Sequence, residues 1–328
     1  MPHPFATHVG VRRLVTAAIA APSVHNTQPW RFRCADKRVL ELHADTERRL
    51  PVLDPRGRLL HISCGAALLN LRLAIRVTGH RPLVQPIPDP RRPTLLAAVR
   101  AERAPGPTLT DAELYAAIPL RHTSRRPFSK RLVPQEVRRE LVAAARAEGV
   151  ALSLPGPQAT AYLLSLIAAA DQELAADPGY LGELARWTCD GGRTDGVPSY
   201  TFGPRPSGRG VPVRDFGLAR PVSGREVDHF AARPQLGVLM TRGDEPEDWL
   251  RAGQALQRVL LTATRRGVSA SPMTQPLDML DLDRERDLER RPGMPRASGH
   301  IQMIIRFGYG PPVPGSPRRP FPEVLERA

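Results

Sequence analysis

Two segments of equal length, GAALLNLRLAIRVTG at residues 65–79 and GQALQRVLLTATRRG at 253–267, constrain most strongly how this chain folds. In both, apolar residues recur at helical spacing, and each ends on a glycine suited to a left-handed C-cap. Superposed, they set Ala67 on Ala255, Leu68 on Leu256, Leu73 on Leu261 and Gly79 on Gly267. Two unrelated amphipathic Ala/Leu helices would share part of this pattern. The downstream residues extend it: HRPLVQPIP after the first helix, VSASPMTQPLD after the second, then strand patterns at 95–101 and 300–307. We read a divergent internal duplication, with residues 1–118 as a reduced first half and 119–328 as a second. A length of 328 residues is ample for two intertwined units with a shared core.

The remaining pattern fits mixed helices and strands. A helix is expected over 9–20, ended by Ala21-Pro22 because the residue before proline is pushed out of the helical region. Strands are expected at 30–33 and 38–43, with 48–60 turn-rich. After a connector at 103–114, a helix opened by Pro134 carries Val137, Leu141, Val142 and Ala145 on one face. A strand in VALSLP, a helix over 159–175 and a strand at 235–241 complete the second half. Residues 189–214, dense in Gly and Pro, have no sustained period; such a loop is a lid candidate, a disordered insertion being the alternative.

The net charge of +14 invites a nucleic-acid reading, which the pattern does not support. Only Lys37 and Lys130 are lysines, the arginines are dispersed, and no zinc-finger, RNA-recognition or helix-turn-helix signature accompanies them. Arginine excess with 36 prolines fits a GC-rich genome instead. Cys34, Cys64 and Cys189 form no CxxC pair and read as reduced thiols, which places the protein in the cytoplasm. The histidines show no metal-ligand spacing, so no metal is expected. Arg12-Arg13 before LVTAAIAAPS imitates a signal peptide, but cleavage there would discard the first helix. No apolar run approaches the roughly 20 residues of a membrane span, so no membrane partner is expected.

Three polar clusters remain: APSVHNTQPWRF at 21–32, RHTSRRPF at 121–128 and SPRRP at 316–320. Guanidinium forks and hydroxyls in the last two match phosphate oxygens, although paired arginines in an arginine-rich chain are usually solvated. Together the clusters resemble the FMN-dependent nitroreductase family over most of the chain. Its PSxxNxQPW loop is matched by Pro22, Ser23, Asn26, Gln28, Pro29 and Trp30, its opening basic stretch by RHTSRRPF, and its closing strand and basic segment by 306–319. The division of these parts between halves looks most like the Acg-type branch, the actinobacterial nitroreductase-like proteins associated with dormancy.

The resemblance implies an α+β fold, a three-layer α/β/α sandwich duplicated as an internal pseudo-dimer with one complete FMN site and one lost. It implies that Arg121, Thr123, Arg318 and Arg319 hold the FMN phosphate, that Arg125 reaches the ring, and that Met273, Thr274 and Gln275 approach its N5 edge. Ser23, Asn26 and Gln28 would contact the ring from the first half. Trp30 reads as a core aromatic, and His25 and His122 as polar wall or surface residues. No catalytic side chain is required, because the cofactor carries the chemistry. The implied activity is NAD(P)H-dependent reduction of a nitroaromatic, quinone or related small-molecule acceptor, by a monomer or a homodimer of pseudo-dimers. A flavin-storing protein closed by a lid is the alternative.

Overall fold

The computed structural model describes residues 3–207, 211–230, 234–278 and 299–326. The first half contributes α1 (His8–Ile19), β1 (Trp30–Cys34), β2 (Val39–Ala44), α2 (Arg58–Arg76), β3 (His80–Pro86), β4 (Leu95–Arg103) and α3 (Leu109–Ala117). The second begins with α4 (Gln135–Arg146), β5 (Ala151–Ser153), α5 (Pro157–Ala176) and α6 (Pro178–Arg186). Two short pairs come next, β6 (Thr188–Cys189) with β7 (Val197–Pro198) and β8 (Arg205–Pro206) with β9 (Val227–Asp228). β10 (Gln235–Thr241), α7 (Pro246–Arg265), β11 (Ser269–Met273), β12 (His300–Gly308) and β13 (Leu325–Glu326) complete it.

The two main sheets share one plan. β1, β2, β4 and β3 lie side by side in that order, as do β5, β10, β12 and β11, every one of these neighbours antiparallel. In each sheet a long helix, α2 or α7, connects the second strand to the third in sequence. After β12 the chain crosses back to the first half, where β13 adds to β1 in parallel and Phe321 and Val324 enter the first core.

α2 and α7 pack against each other, and their closest approach is reciprocal. A Cβ on Gly65 would fall 2.1 Å from the Leu250 carbonyl oxygen, and one on Gly253 would fall 2.0 Å from that of Ile62. The same sequence offset relates Ile62 to Leu250 and Gly65 to Gly253. Each helix also reaches into the other half's core: Leu250 and Leu261 join the first, Leu59 and Ile62 the second. α2 is long and apolar enough to cross a membrane, but 89% of its most apolar window is buried inside the protein.

In the second half the sheet is covered on both faces, which makes three layers. Leu239, Met303 and Ile305 face α7, whereas Val238, Met240 and Ile304 face Leu163 and Ile167 of α5. The outer face of the first sheet carries charge instead. There burial pushes the Glu41 carboxyl up, but hydrogen bonds from Arg92, His43 and Arg33 outweigh it and hold the group at about 2.

Several boundaries differ from the sequence expectation. α2 begins at Arg58, within the stretch read as turns, because the Asp54 carboxylate accepts from the Leu59 and Leu60 N–H groups and nucleates the helix early. α7 likewise begins at Pro246, behind a capping box of Glu245 and Asp248. HRPLVQP forms β3 despite two prolines, since an edge strand has N–H groups to spare. α6 has no counterpart in the sequence reading, and the 189–214 loop contains the end of β6, β7 and β8.

Candidate functional site

The polar loop after α1 is held in a costly backbone. His25, Asn26 and Gln28 have φ of 46°, 53° and 51°, the left-handed region that non-glycine residues rarely occupy. For Gln28 the following proline adds to the cost. Ser23 Oγ accepts from the Gln28 N–H at 2.9 Å, and the Val24 N–H donates to Ser63 Oγ on α2 at 3.2 Å. The amides then tie distant segments together. Asn26 Nδ2 donates to the carbonyls of Gly196 (2.9 Å) and Pro317 (3.1 Å). Gln28 Nε2 donates to the Thr194 carbonyl at 2.8 Å, while its Oε1 accepts from the Arg319 N–H at 2.8 Å. Trp30 is wholly buried at the head of β1.

Beside this loop a cavity holds about 900 Å³ of space not filled by protein, part of it open to solvent. Ser23 and His25 line one side, Ile62 and Ala66 of α2 the floor, and Val213 with Phe216 another wall. Of the residues singled out in the sequence, Ser23, Thr123, Arg125, Met273, Thr274 and Gln275 face this cavity. Asn26, Gln28, Arg121, Arg318 and Arg319 do not line it.

The arginines separate by their partners. Arg319 is 4% exposed, ion-paired with Asp45 Oδ2 at 3.3 Å, and donates to the carbonyls of Gln28 (3.2 Å) and Glu323 (2.9 Å). Its charge is already answered. Among the described residues Arg318 donates only to neutral oxygens, including Asn26 Oδ1 and the Ser316 carbonyl, each at 3.0 Å, and burial pushes it down to about 10. Arg121 is 5% exposed, and its side chain has no hydrogen-bond or ion-pair partner among the described residues. Burial, then the neighbouring Arg318, pushes it down to about 9. The Nε atoms of both and the Ser124 hydroxyl are buried without partners. A buried cation is costly unless an anion meets it, so the chemistry of this donor set fits a phosphate. His122 is exposed, with Gly315 so close that a Cβ there would lie 2.8 Å from the ring.

Arg125, partly buried, donates to the Thr201 carbonyl at 3.1 Å and lies 4.6 Å over the Phe216 ring. Burial, then Arg214, lowers it to about 10. One residue and one contact escaped the sequence reading. Arg306 on β12 lines the cavity although 2% exposed, and its one signal was a charge within the apolar strand HIQMIIRF. His25 is 6% exposed, and its Nε2 accepts from Arg214 at 2.9 Å, which leaves the ring proton on Nδ1. Burial, then Arg214 and Arg125, drives His25 well below 6.5, so it is neutral at pH 7.

A profile described as "Nitroreductase family" matches residues 227–309. A Mycobacterium tuberculosis protein provisionally named an NAD(P)H nitroreductase is 36% identical, over 96% of this chain and 91% of its own length. A second from the same organism, provisionally named NAD(P)H nitroreductase acg, is 30% identical over 99% of this chain and 98% of its own length. Among solved structures, a nitroreductase with bound FMN from Desulfitobacterium hafniense is similar at TM-score 0.41 and 14% identity, covering 66% of this chain and 98% of that one. A provisionally named nitroreductase from Anabaena variabilis reaches TM-score 0.45 at 10% identity, covering 92% of this chain and 88% of that one.

Proposed function

The chain belongs to the nitroreductase family, in its Acg-type branch, and on that premise we propose that it binds FMN and works as a cytoplasmic NAD(P)H-dependent oxidoreductase. Its electrons would pass to a nitroaromatic, quinone or related small acceptor. The observation that carries this reading is the pair Arg121 and Arg318, cations without a carboxylate partner among the described residues, beside the cavity-lining Thr123. They would hold the phosphate. Arg125, Met273, Thr274 and Gln275 would surround the ring, with Ser23 and neutral His25 forming the wall from the first half. Asn26, Gln28 and Arg319, bonded to protein partners, would fasten the loop and the C-terminal segment that carries Arg318. When bound, FMN supplies the electron-transfer chemistry, and these residues supply binding, orientation and charge.

We further infer that residues 1–118 and 119–328 are fused halves of an ancestral dimer, so that one chain completes one site as a monomer or within a homodimer. The shared strand order and the reciprocal contacts of Gly65 and Gly253 support this. The second half replaces the Ser23–Gln28 loop with the short link between α4 and β5, where Glu148 is gripped by Arg72 and by Arg258 at 2.6 Å. That grip would close the duplicate site. Val213 and Arg214 of the 189–214 segment, with Phe216 beyond it, would act as the lid over the remaining one.

The test is anaerobic addition of NADPH, then NADH, to the FMN-loaded protein while the visible flavin band is followed. Bleaching reversed by a nitroaromatic or quinone is expected. A band that persists with both donors would refute the reductase reading and leave a protein that holds flavin without turnover.

A further inference from the structure

Arg306 is the one charged side chain on β12, a strand buried throughout from Ile301 to Gly308. Its position is fixed on every side. Nη2 donates to the carbonyls of Arg126 at 2.9 Å and Ser124 at 3.4 Å, the residues that flank Arg125. The guanidinium lies 4.0 Å from the Phe128 ring centre and 5.4 Å from that of Phe230. No carboxylate neutralises it among the described residues, and Nε has no partner. Burial pushes it down to about 10, so it remains charged at neutral pH.

Three arginines line the cavity wall, Arg125, Arg214 and Arg306; Arg125 and Arg306 donate to neutral carbonyls, and no Asp or Glu lines it among the described residues. Inside a low-dielectric site such a wall discriminates between ligand states that differ in negative charge. We propose that Arg306 is a positioning residue that braces both carbonyls around Arg125 and, with it, makes the cavity bind reduced FMN in preference to oxidised FMN. This rests on the FMN reading and assigns Arg306 a role in the redox poise of that site. The brace and the charge are separable, because lysine keeps the charge without the fork, and glutamine keeps a carbonyl-directed donor without the charge.

The experiment is a reduction-potential measurement on FMN bound to wild type, Arg306→Gln and Arg306→Lys, with FMN affinity measured in parallel. Arg306→Gln is expected to lower the preference for reduced over oxidised FMN about tenfold, equivalent to a midpoint about 30 mV more negative for a two-electron couple. Arg306→Lys should stay within about threefold of wild type. Equal shifts in both variants, or none in either, would overturn the electrostatic role. Should Arg306→Gln not fold, the wild-type protein carrying an FMN analogue with an ionisable ring hydroxyl decides the matter: the hydroxyl is expected to ionise at lower pH when bound than when free. An unchanged or raised ionisation overturns the proposal. Failure of the wild-type chain to bind FMN would overturn the FMN reading itself, whereas binding with an unshifted preference overturns only this inference.

Discussion

Replacing Arg121 with methionine should make the ligand-free protein more stable while weakening its response to FMN. The guanidinium is 5% exposed and meets no anion among the described residues, and burial, then Arg318, pushes it down to about 9, which shows that the fold opposes the charge. At about 1.4 kcal/mol per decade, that cost has an upper figure of about 5 kcal/mol. A cation lowered in this way costs stability in full below about pH 9, and the cost fades as pH rises through that value, so at pH 7 all of it applies. Loss of packing along the arginine stem offsets part, and a net gain of about 2 kcal/mol is expected in Arg121→Met. In a chain of this length, that is a rise of about 3 °C in Tm. With FMN at a hundredfold excess over its Kd, wild type should gain about 2.7 kcal/mol. One lost charged hydrogen bond, worth about 1.5–3 kcal/mol, weakens binding about tenfold or more and cuts that gain to about 1.4 kcal/mol or less. Thermal melts of both proteins with and without FMN measure the two effects. A variant less stable without ligand, with an undiminished FMN increment, would refute the assignment of Arg121 as a cation awaiting phosphate.

Arg319→Ala should behave in the opposite way, losing about 3 kcal/mol by denaturant titration because it breaks a buried pair with Asp45, while FMN affinity of the folded fraction stays within about threefold. Gly65→Ala and Gly253→Ala should cost similar amounts, about 2–3 kcal/mol each, since each Cβ would strike the carbonyl of the other helix; urea midpoints that differ widely would contradict the reciprocal crossing. Glu41, held down at about 2, stabilises the fold fully above about pH 4.5, and this contribution of about 3 kcal/mol is lost as pH falls towards 2. Glu41→Gln should flatten stability across that window, and an unchanged acid profile would show that the cluster contributes nothing to it.

The range of each interaction decides whether the sequence revealed it or hid it. The paired glycine-bounded helices and the strands after them were legible because periodicity is local. The first turns of α2 were not, since His61 and Ser63 interrupt the apolar pattern and the cap is a side chain several residues earlier, Asp54. β3 was hidden by prolines that only its edge position permits. In the site, the family resemblance carried by the motifs singled out Thr123, Arg125 and Met273 to Gln275, all of which face the cavity. It could not separate Arg318 from Arg319. These neighbours project differently, one towards Asn26 and the other towards Asp45, and only the three-dimensional arrangement decides which charge is answered. His25 with Arg214 and Arg306 with the carbonyls around Arg125 depend on contacts between distant segments, which no local pattern encodes.

The central claim, a flavin phosphate held by Arg121 and Arg318 in a site completed by a single chain, is tested most directly by titrating the protein with FMN and, separately, with riboflavin. Saturation at one FMN per chain is expected, with riboflavin at least about a hundredfold weaker, the value of two charged hydrogen bonds to the missing phosphate. Equal affinity for the two, or no binding of FMN at all, would contradict it.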